Sequence, residues 1–389
     1  MKKKGTRRLS AALAALLAAS CGVWTAHAQA VSLTDAMYEK ATAFAPGDLT
    51  RIAAVLRKAQ RGEPVTVGVI GGSITQGSCA TRPENRYANR VAAWFEQTFP
   101  ASRFTLVNAG IGATDSYLAV HRVQKDLLAA QPDLVVVEFS VNDSATYFFK
   151  KSYDNLVRRI LSDPRMPAVL LLFMTMEDGA SARTEHANIG FRYGVPMIDY
   201  GGAVLDAIKT GQLAWTDISA DNIHPNDAGH ALAASLITRF LDFVRQRSGE
   251  LTGEPAPFDK PVATRACYLN ARLENALTLS PRETDGFAAG NYFQAFPNGW
   301  RLSAGALTFE VTAANVGVLF LRETSGEAGV FDVLVDGKPV AAPDGDFSGG
   351  CGDYAAALEV FSSEETAPHT VAILPRDGKR VTLLGLLLS

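Results

Sequence analysis

From about residue 48 to residue 248 the apolar positions of the chain switch repeatedly between two spacings. "DLTRIAAVLRKAQRG" opens on Asp48, carries apolar residues at Ile52, Val55, Leu56 and Ala59, and stops at Gly62. That is the spacing of an amphipathic helix between a capping residue and a terminating glycine. Continuous apolar runs then recur as strands: "VTVGVI", "FTLVNAG", "DLVVVEFS", "AVLLLFMTM" and "VPMIDY". Helical stretches lie between them, among them "NRYANRVAAWFEQTF", "SYLAVHRVQKDLLAAQ" and "YDNLVRRILS", and "AGHALAASLITRFLDFVRQRS" closes the series. Strands that are apolar on both faces and separated by helices predict a parallel sheet covered on both sides. "GELTGEPAPFDKP" is rich in Gly, Pro and charge, and reads as a linker over residues 250–261. Beyond it the helical spacing disappears. "ALTFEVTAANVGVLFLRE", "GVFDVLVDGKPV", "HTVAILP" and "RVTLLGLLL" read as strands, with Asp336-Gly337 and Asp377-Gly378 as hairpin turns. Residues 262–389 are therefore expected to form an all-β sandwich, and no internal repeat is evident.

The chemistry is sought at the ends of the parallel strands, because loops there form the ligand crevice of an open α/β sheet. The first core strand runs into "GGSITQGS", residues 71–78. This loop lacks the Gly-Lys-Ser/Thr of a nucleotide-phosphate loop and does not fit G-x-G-x-x-G. Taken alone it is a glycine turn with a capping serine. A nucleophilic serine would need a histidine held in one tautomer by a carboxylate. Five histidines lie beyond residue 28: His121, His186, His224, His230 and His369. His224 stands in "ADNIHPNDAGH", with Asp221 three residues before it in a turn that leads into a helix. One loop can then present both side chains, Asp221 accepting from one ring nitrogen while the other faces the serine. His230 falls inside the following helix and reads as structural. Acyl transfer also needs hydrogen-bond donors for a developing oxyanion. "NAGIGATDS" and "VEFSVND" end strands of the same sheet and can offer a backbone N–H and the Asn142 amide at the same edge.

The ordered blocks "GGSIT", "NAGIGATDS", "VEFSVND" and "DNIHPNDAGH" resemble those of the SGNH/GDSL hydrolases. The resemblance covers about residues 60–245. It implies a three-layer, flavodoxin-like α/β domain, placed at residues 29–249, with Ser73 as nucleophile, His224 as base and Asp221 as its orienting carboxylate. It further implies an oxyanion hole made by the Ser73 N–H, a second-block N–H and the Asn142 amide. Gly72 stands where the common pattern has aspartate, as in the branch carrying "GGS". Common patterns place the second-block donor one residue after Gly112, where this chain has Ala113. The donor is a backbone N–H, so either residue can supply it, and Gly112 is the expected one. The chemistry asks for no metal and no organic cofactor.

Composition adds little to the fold but narrows the partners. Hydrophobic residues make up 47% and charged residues 20%, ordinary for a soluble globular protein. Residues 1–28 join a basic start, a short apolar run and Ala26-His27-Ala28, the layout of a secretory signal peptide, so a secreted, periplasmic or cell-envelope location is expected. A rival reading makes Cys21 in "LAASC" a lipid-attachment site, the one route to a membrane. Cleavage after residue 28 removes five basic residues and no acidic one, taking the formal net charge from -3 to about -8. An acidic surface argues against nucleic acid as a partner. Of the cysteines beyond the leader, Cys267 and Cys351 can pair in an oxidising compartment, leaving Cys79 outside the pair. Nothing in the pattern speaks to oligomeric state.

A secreted serine esterase with an appended β domain resembles enzymes that deacetylate polysaccharides. The expected substrate is an acylated small molecule or polysaccharide, with O-acetyl groups on carbohydrate favoured. Lipase-type acyl hydrolysis and acyl transfer to a sugar would use the same residues, and a non-catalytic glycan-binding envelope protein is the reading from another class. Tyr292, Phe293, Phe296 and Trp300 would bind glycan if exposed; packing in the β-domain interior is the simpler reading for them.

Overall fold

The computed structural model describes residues 31–44, 47–282 and 286–389, and the expected signal peptide, with Cys21 and Ala26-His27-Ala28, lies outside them. Two compact units divide between Leu269 and Asn270.

The first unit runs α1 (Asp35–Ala41), α2 (Thr50–Gln60), β1 (Val65–Gly71), α3 (Ser73–Gln76), α4 (Tyr87–Thr98), β2 (Phe104–Gly110), α5 (Ser116–Asp126), β3 (Leu134–Glu138), α6 (Tyr147–Leu161), β4 (Ala168–Leu172), α7 (Arg183–Tyr193), β5 (Met197–Ile198), α8 (Tyr200–Lys209), α9 (Trp215–Ile218) and α10 (Asp227–Gln246). The five strands are ordered β2-β1-β3-β4-β5, and every pairing is parallel. The flavodoxin-like α/β fold implied by the sequence is the one found. Every residue of β3 and β4 is buried, which is why these strands read as unbroken apolar runs. The chain leaves β1 for β2 on one side and returns to β3 on the other. The carboxyl end of β1 is thereby the switch point where the loops of both neighbours converge. Strand β5 is shorter than "VPMIDY" suggests. Asp199 ends it by accepting the Gly202 N–H at 2.8 Å, and so caps α8.

The segment read as a linker is tied to this unit along its length. Arg51 donates to the Ala256 carbonyl at 2.8 Å, and Lys260 to that of Tyr193 at 2.9 Å. The buried Asp154 accepts the Thr264 N–H at 2.7 Å and its hydroxyl at 2.6 Å. Asn155 brackets the end of the segment, donating to the Arg265 carbonyl at 2.8 Å and accepting the Tyr268 N–H at 3.0 Å. Residues 250–269 thus form a strap on the first unit, and the compact division falls after them. Cys267 and Cys351 are not joined by a disulfide. Cys267 belongs to the strap, its Sγ 3.5 Å from the Arg265 carbonyl oxygen, while Cys351 belongs to the second unit.

The second unit is antiparallel β: β6 (Arg272–Glu274), β7 (Phe287–Gly290), β8 (Gly299–Leu302), β9 (Leu307–Arg322), β10 (Phe331–Val335), β11 (Lys338–Ala341), β12 (Tyr354–Pro375) and β13 (Val381–Leu388). The all-β second unit expected from the sequence is found, its strands hydrogen-bonded in the order β11-β10-β12-β9-β13-β8-β7 with β6 on β13. Its spine is the long pair β9 and β12, whose register slips between Ser362 and Ala367. Residues 307–313 pair with the β12 end that carries β10, whereas residues 316–322 pair with residues 354–361 of β12 and, on their other edge, residues 316–320 pair with β13. Both halves turn their apolar faces into one cluster, from Leu307 and Phe309 to Val318, Val333, Ile373 and Leu386. Trp300 and Phe296 are buried, Trp300 within that cluster. The Arg301 guanidinium lies over the Tyr292 ring, 4.2 Å from its centroid. Trp300 and Phe296 therefore pack the interior of this unit, while Tyr292 and Phe293 are half-buried.

Candidate active site

Ser73 is the first residue of α3, two residues past the end of β1, with Gly72 between them. Gly72 makes this junction possible by close approach, since its φ of −90° suits any residue. A Cβ built on Gly72 would stand 2.3 Å from Asn142 Oδ1 and 2.6 Å from its Nδ2. The nucleophile turn of β1 and the Asn142 turn after β3 therefore touch, as adjacent strands require.

His224 comes from the loop between α9 and α10, 151 residues downstream of Ser73, and its Nε2 lies 2.9 Å from Ser73 Oγ. Its Nδ1 is 2.8 Å from Asp221 Oδ2. The other carboxylate oxygen, Oδ1, accepts the N–H groups of Ile223 at 2.7 Å and His224 at 2.6 Å. A carboxylate can only accept, so Nδ1 carries the ring proton and Nε2 presents a lone pair to the serine hydroxyl. Burial works to raise the Asp221 pKa, but the hydrogen bonds from the His224 ring and backbone and from Ile223 outweigh it and hold the carboxyl below its ordinary range. The turn is itself braced: Asn226 caps α10 by accepting from Ala228 and Gly229. Ser219 Oγ also spans the loop, 2.8 Å from the Asp221 carbonyl oxygen and 2.7 Å from that of His224.

Around Ser73 the available donors differ in one position from the sequence reading. Gly112 gives its N–H to Gln76 Oε1 at 2.8 Å. The Ala113 N–H, next along, has no partner among the described residues, and Ala113 takes a left-handed φ of 57°. The second-block choice thus moves from Gly112 to Ala113, because a donor already committed to a side chain cannot also meet an oxyanion. The Asn142 Oδ1 is buried without a hydrogen bond among the described residues, so packing against Gly72 holds this amide. Gln76 was missed in the sequence. The only signal was its place one helical turn after Ser73, on the side facing the second block.

Beneath the site lies a layer of buried polar groups. Arg122, 1% exposed, donates to the carbonyl groups of Ala109 at 2.7 Å and Gly71 at 3.3 Å, tying the ends of β2 and β1 together. Glu138 is fully buried at the end of β3, and burial raises its pKa to about 7 despite hydrogen bonds from Ser140. Asp143, next to Asn142, accepts from Ser116 N–H at 3.0 Å and lies 3.0 Å from His186 Nε2. Burial, then the charge of Asp143, raises Asp115 to about 7 as well. The remaining histidines are structural. His230 Nδ1 accepts the Tyr87 N–H at 3.4 Å, and its Nε2 is 3.1 Å from the Ser78 carbonyl oxygen. His121 Nδ1 meets the Tyr117 carbonyl at 2.7 Å, and His369 pairs with Asp336 at 2.8 Å.

Comparison with known proteins agrees with this geometry. The family of GDSL-like lipases/acylhydrolases matches residues 69–232. No curated protein matches the chain significantly. Among solved structures, a two-domain esterase active on acetylated mannans, crystallised with mannopentaose, is 33% identical; the match covers 90% of this chain and 97% of that one, with a TM-score of 0.81. A further crystal structure of a two-domain esterase active on acetylated mannans is 32% identical, covering 90% of this chain and 98% of that one at a TM-score of 0.82. With such similarity spanning both units, and a GDSL match spanning all four blocks, the chain belongs to the SGNH/GDSL hydrolase family and is a carboxylic ester hydrolase.

Proposed function

We propose that the protein removes O-acetyl groups from carbohydrate, with acetylated mannan-type polysaccharide as the substrate class. The observation that carries the reading is the hydrogen-bonded line Asp221–His224–Ser73 at the carboxyl edge of the sheet, in a chain similar across both units to an esterase active on acetylated mannans. His224 Nε2 takes the Ser73 proton as Oγ attacks the ester carbonyl. The oxyanion forms against the N–H groups of Ser73 and Ala113 and the Asn142 amide. His224 then passes the proton to the departing sugar hydroxyl, leaving acetyl on Ser73. Water, deprotonated by the same nitrogen, releases acetate. Asp221 keeps the ring in the productive tautomer throughout and stabilises the imidazolium. The basic, apolar layout of residues 1–28 supports export to where polysaccharide is met.

The test is acetate release from acetylated mannan and from p-nitrophenyl esters of increasing acyl length, by wild type and Ser73→Ala. The reading expects acetate from the polysaccharide, a preference for acetyl over longer acyl groups, and a fall of about 10⁴-fold or more in the variant. Equal background rates from both proteins would favour a non-catalytic glycan-binding role. A marked preference for long acyl chains would sink the deacetylase assignment.

A further inference from the structure

Cys79 lies outside the hydrolytic mechanism, yet its thiol is beside it. Cys79 Sγ, a carboxylate oxygen of Asp221 and a ring nitrogen of His224 all fall within 4.8 Å of one another. The cysteine is six residues past Ser73, in a loop held over the site by its neighbours. His230 is 3.1 Å from the Ser78 carbonyl oxygen, and Thr81 gives its N–H to Asp227 Oδ1 at 2.8 Å. Cys79 takes a left-handed φ of 62°, a conformation that costs a side-chain-bearing residue some strain. Cys79 and Asp221 are half-buried while His224 is buried, so the cluster has a face toward solvent through which a small ion can enter.

We propose that this cluster is a reversible inhibitory site for a thiophilic divalent cation of the zinc class, bound by Cys79 Sγ, His224 and Asp221. One sulfur, one imidazole nitrogen and one carboxylate oxygen make the donor set that tetrahedral zinc accepts, with a fourth position left for water. In a tetrahedral site nitrogen and oxygen ligands stand about 3.3 Å apart, and nitrogen and sulfur slightly farther. The 2.8 Å between His224 Nδ1 and Asp221 Oδ2 need only open slightly, and the thiol, within 4.8 Å of both partners' ligand atoms, must close in. On binding, the S–H bond breaks, the sulfur–metal bond forms, and the thiol proton leaves to solvent.

Inhibition follows whichever ring nitrogen coordinates. At Nε2 the cation occupies the lone pair that would accept the Ser73 proton. At Nδ1 it displaces the ring proton to Nε2, which then donates toward Ser73 Oγ and can no longer act as its base. The inhibitory consequence rests on the proposed hydrolytic mechanism; cation binding does not, and it is measured separately.

The experiment uses the full chain, freed of metal by chelator, with Co2+ as spectroscopic probe and Zn2+ in calorimetry and in hydrolysis of p-nitrophenyl acetate. Wild type is expected to show a thiolate-to-cobalt charge-transfer band and to lose activity with Zn2+, regained on adding EDTA. Cys79→Ser and Cys79→Gly, the latter suited to the left-handed backbone, should both lose the band. The Zn2+ concentration that halves each variant's own metal-free rate should rise by about tenfold or more. Cys351→Ser should keep the wild-type band, and Ser73→Ala should keep it where no ester is turned over. A band that survives both Cys79 substitutions, or disappears with Cys351→Ser, overturns the proposal. So does equal Zn2+ sensitivity in wild type and both Cys79 variants.

Discussion

Gly72→Ala tests the oxyanion site through a residue that makes no bond to substrate. The backbone tolerates alanine, because φ is −90°. The new Cβ does not fit: it would stand 2.3 Å from Asn142 Oδ1 and 2.6 Å from Cγ and Nδ2, against an ordinary contact of 3.4–4 Å. The amide must therefore retreat by about 1 Å, a displacement that costs on the order of 100-fold in rate when it moves a positioned group. That corresponds to about 2.7 kcal/mol, and complete loss of an oxyanion donor sets a ceiling of roughly 10²–10³. Gly72→Ala is accordingly predicted to lower kcat on p-nitrophenyl acetate about 100-fold, with urea unfolding used to confirm a folded variant. The decisive comparison is a double-mutant cycle with Asn142→Ala. Truncating Asn142 removes both the donor and the obstacle, so alanine at position 72 should then change kcat by less than about threefold. Full activity in Gly72→Ala, or effects that multiply in the double variant, would refute this account of the glycine. The aspartate of the common pattern carries a Cβ at this position. In this chain the Asn142 amide occupies that space, and Gly72→Asp should be at least as damaging as alanine.

Gln76→Ala frees the Gly112 N–H and should lower kcat about 3- to 10-fold, the worth of one hydrogen bond, while Gln76→Glu keeps the acceptor and should restore most of it; equal kcat in wild type and Gln76→Ala would dismiss the clamp. Glu138 links stability to pH. Its folded pKa of about 7 lies above the ordinary 4.5, so its contribution is fully present below about pH 4.5 and is lost as pH rises through 7, by about 3 kcal/mol. Asp115, also raised to about 7, acts in the same direction. Wild type should melt at lower temperature at pH 8 than at pH 5, and Glu138→Gln should flatten that dependence; parallel profiles would contradict it. Asp154→Ala removes the acceptor for both Thr264 groups and for the Tyr193 hydroxyl. It should cost about 2–4 kcal/mol and open residues 250–269 to limited proteolysis, and a strap as resistant as in wild type would count against its anchoring.

What the sequence made legible is what strand ends and chain order determine. Largely apolar runs at Val65–Gly71 and Leu134–Glu138 fixed the parallel layer, and polar blocks just past such runs had to share one edge. Ser73, Asn142 and the Asp221–His224 turn could be placed together on that basis. The strap was read as a linker because Gly, Pro and charge mark chain without regular structure; they say nothing about Arg51, Asp154 or Asn155 waiting to bind its backbone. The order in which the strands of the second unit join was likewise hidden. A long strand such as β12 has the same alternation whether its two halves lie in one sheet or bend between layers, and the register slip after Ser362 follows from pairing with β9.

The second-block donor shows most sharply where pattern ends and structure begins. Gly112 and Ala113 are equivalent as sequence, since each supplies one backbone N–H and neither is excluded by residue type. What separates them is Gln76 Oε1, 2.8 Å from the Gly112 nitrogen, and the left-handed turn at Ala113. Even a Cβ on Gly112 would lie 2.9 Å from that same oxygen, so the glycine fits the close approach of Gln76. Two neighbouring positions then differ: Gly112 anchors the loop to α3, and the Ala113 N–H is left without a partner among the described residues. If that difference holds, Gln76→Ala should impair the loop through Gly112 while Gly112→Ala should impair it through the same oxygen. The two substitutions combined should then cost little more than either alone.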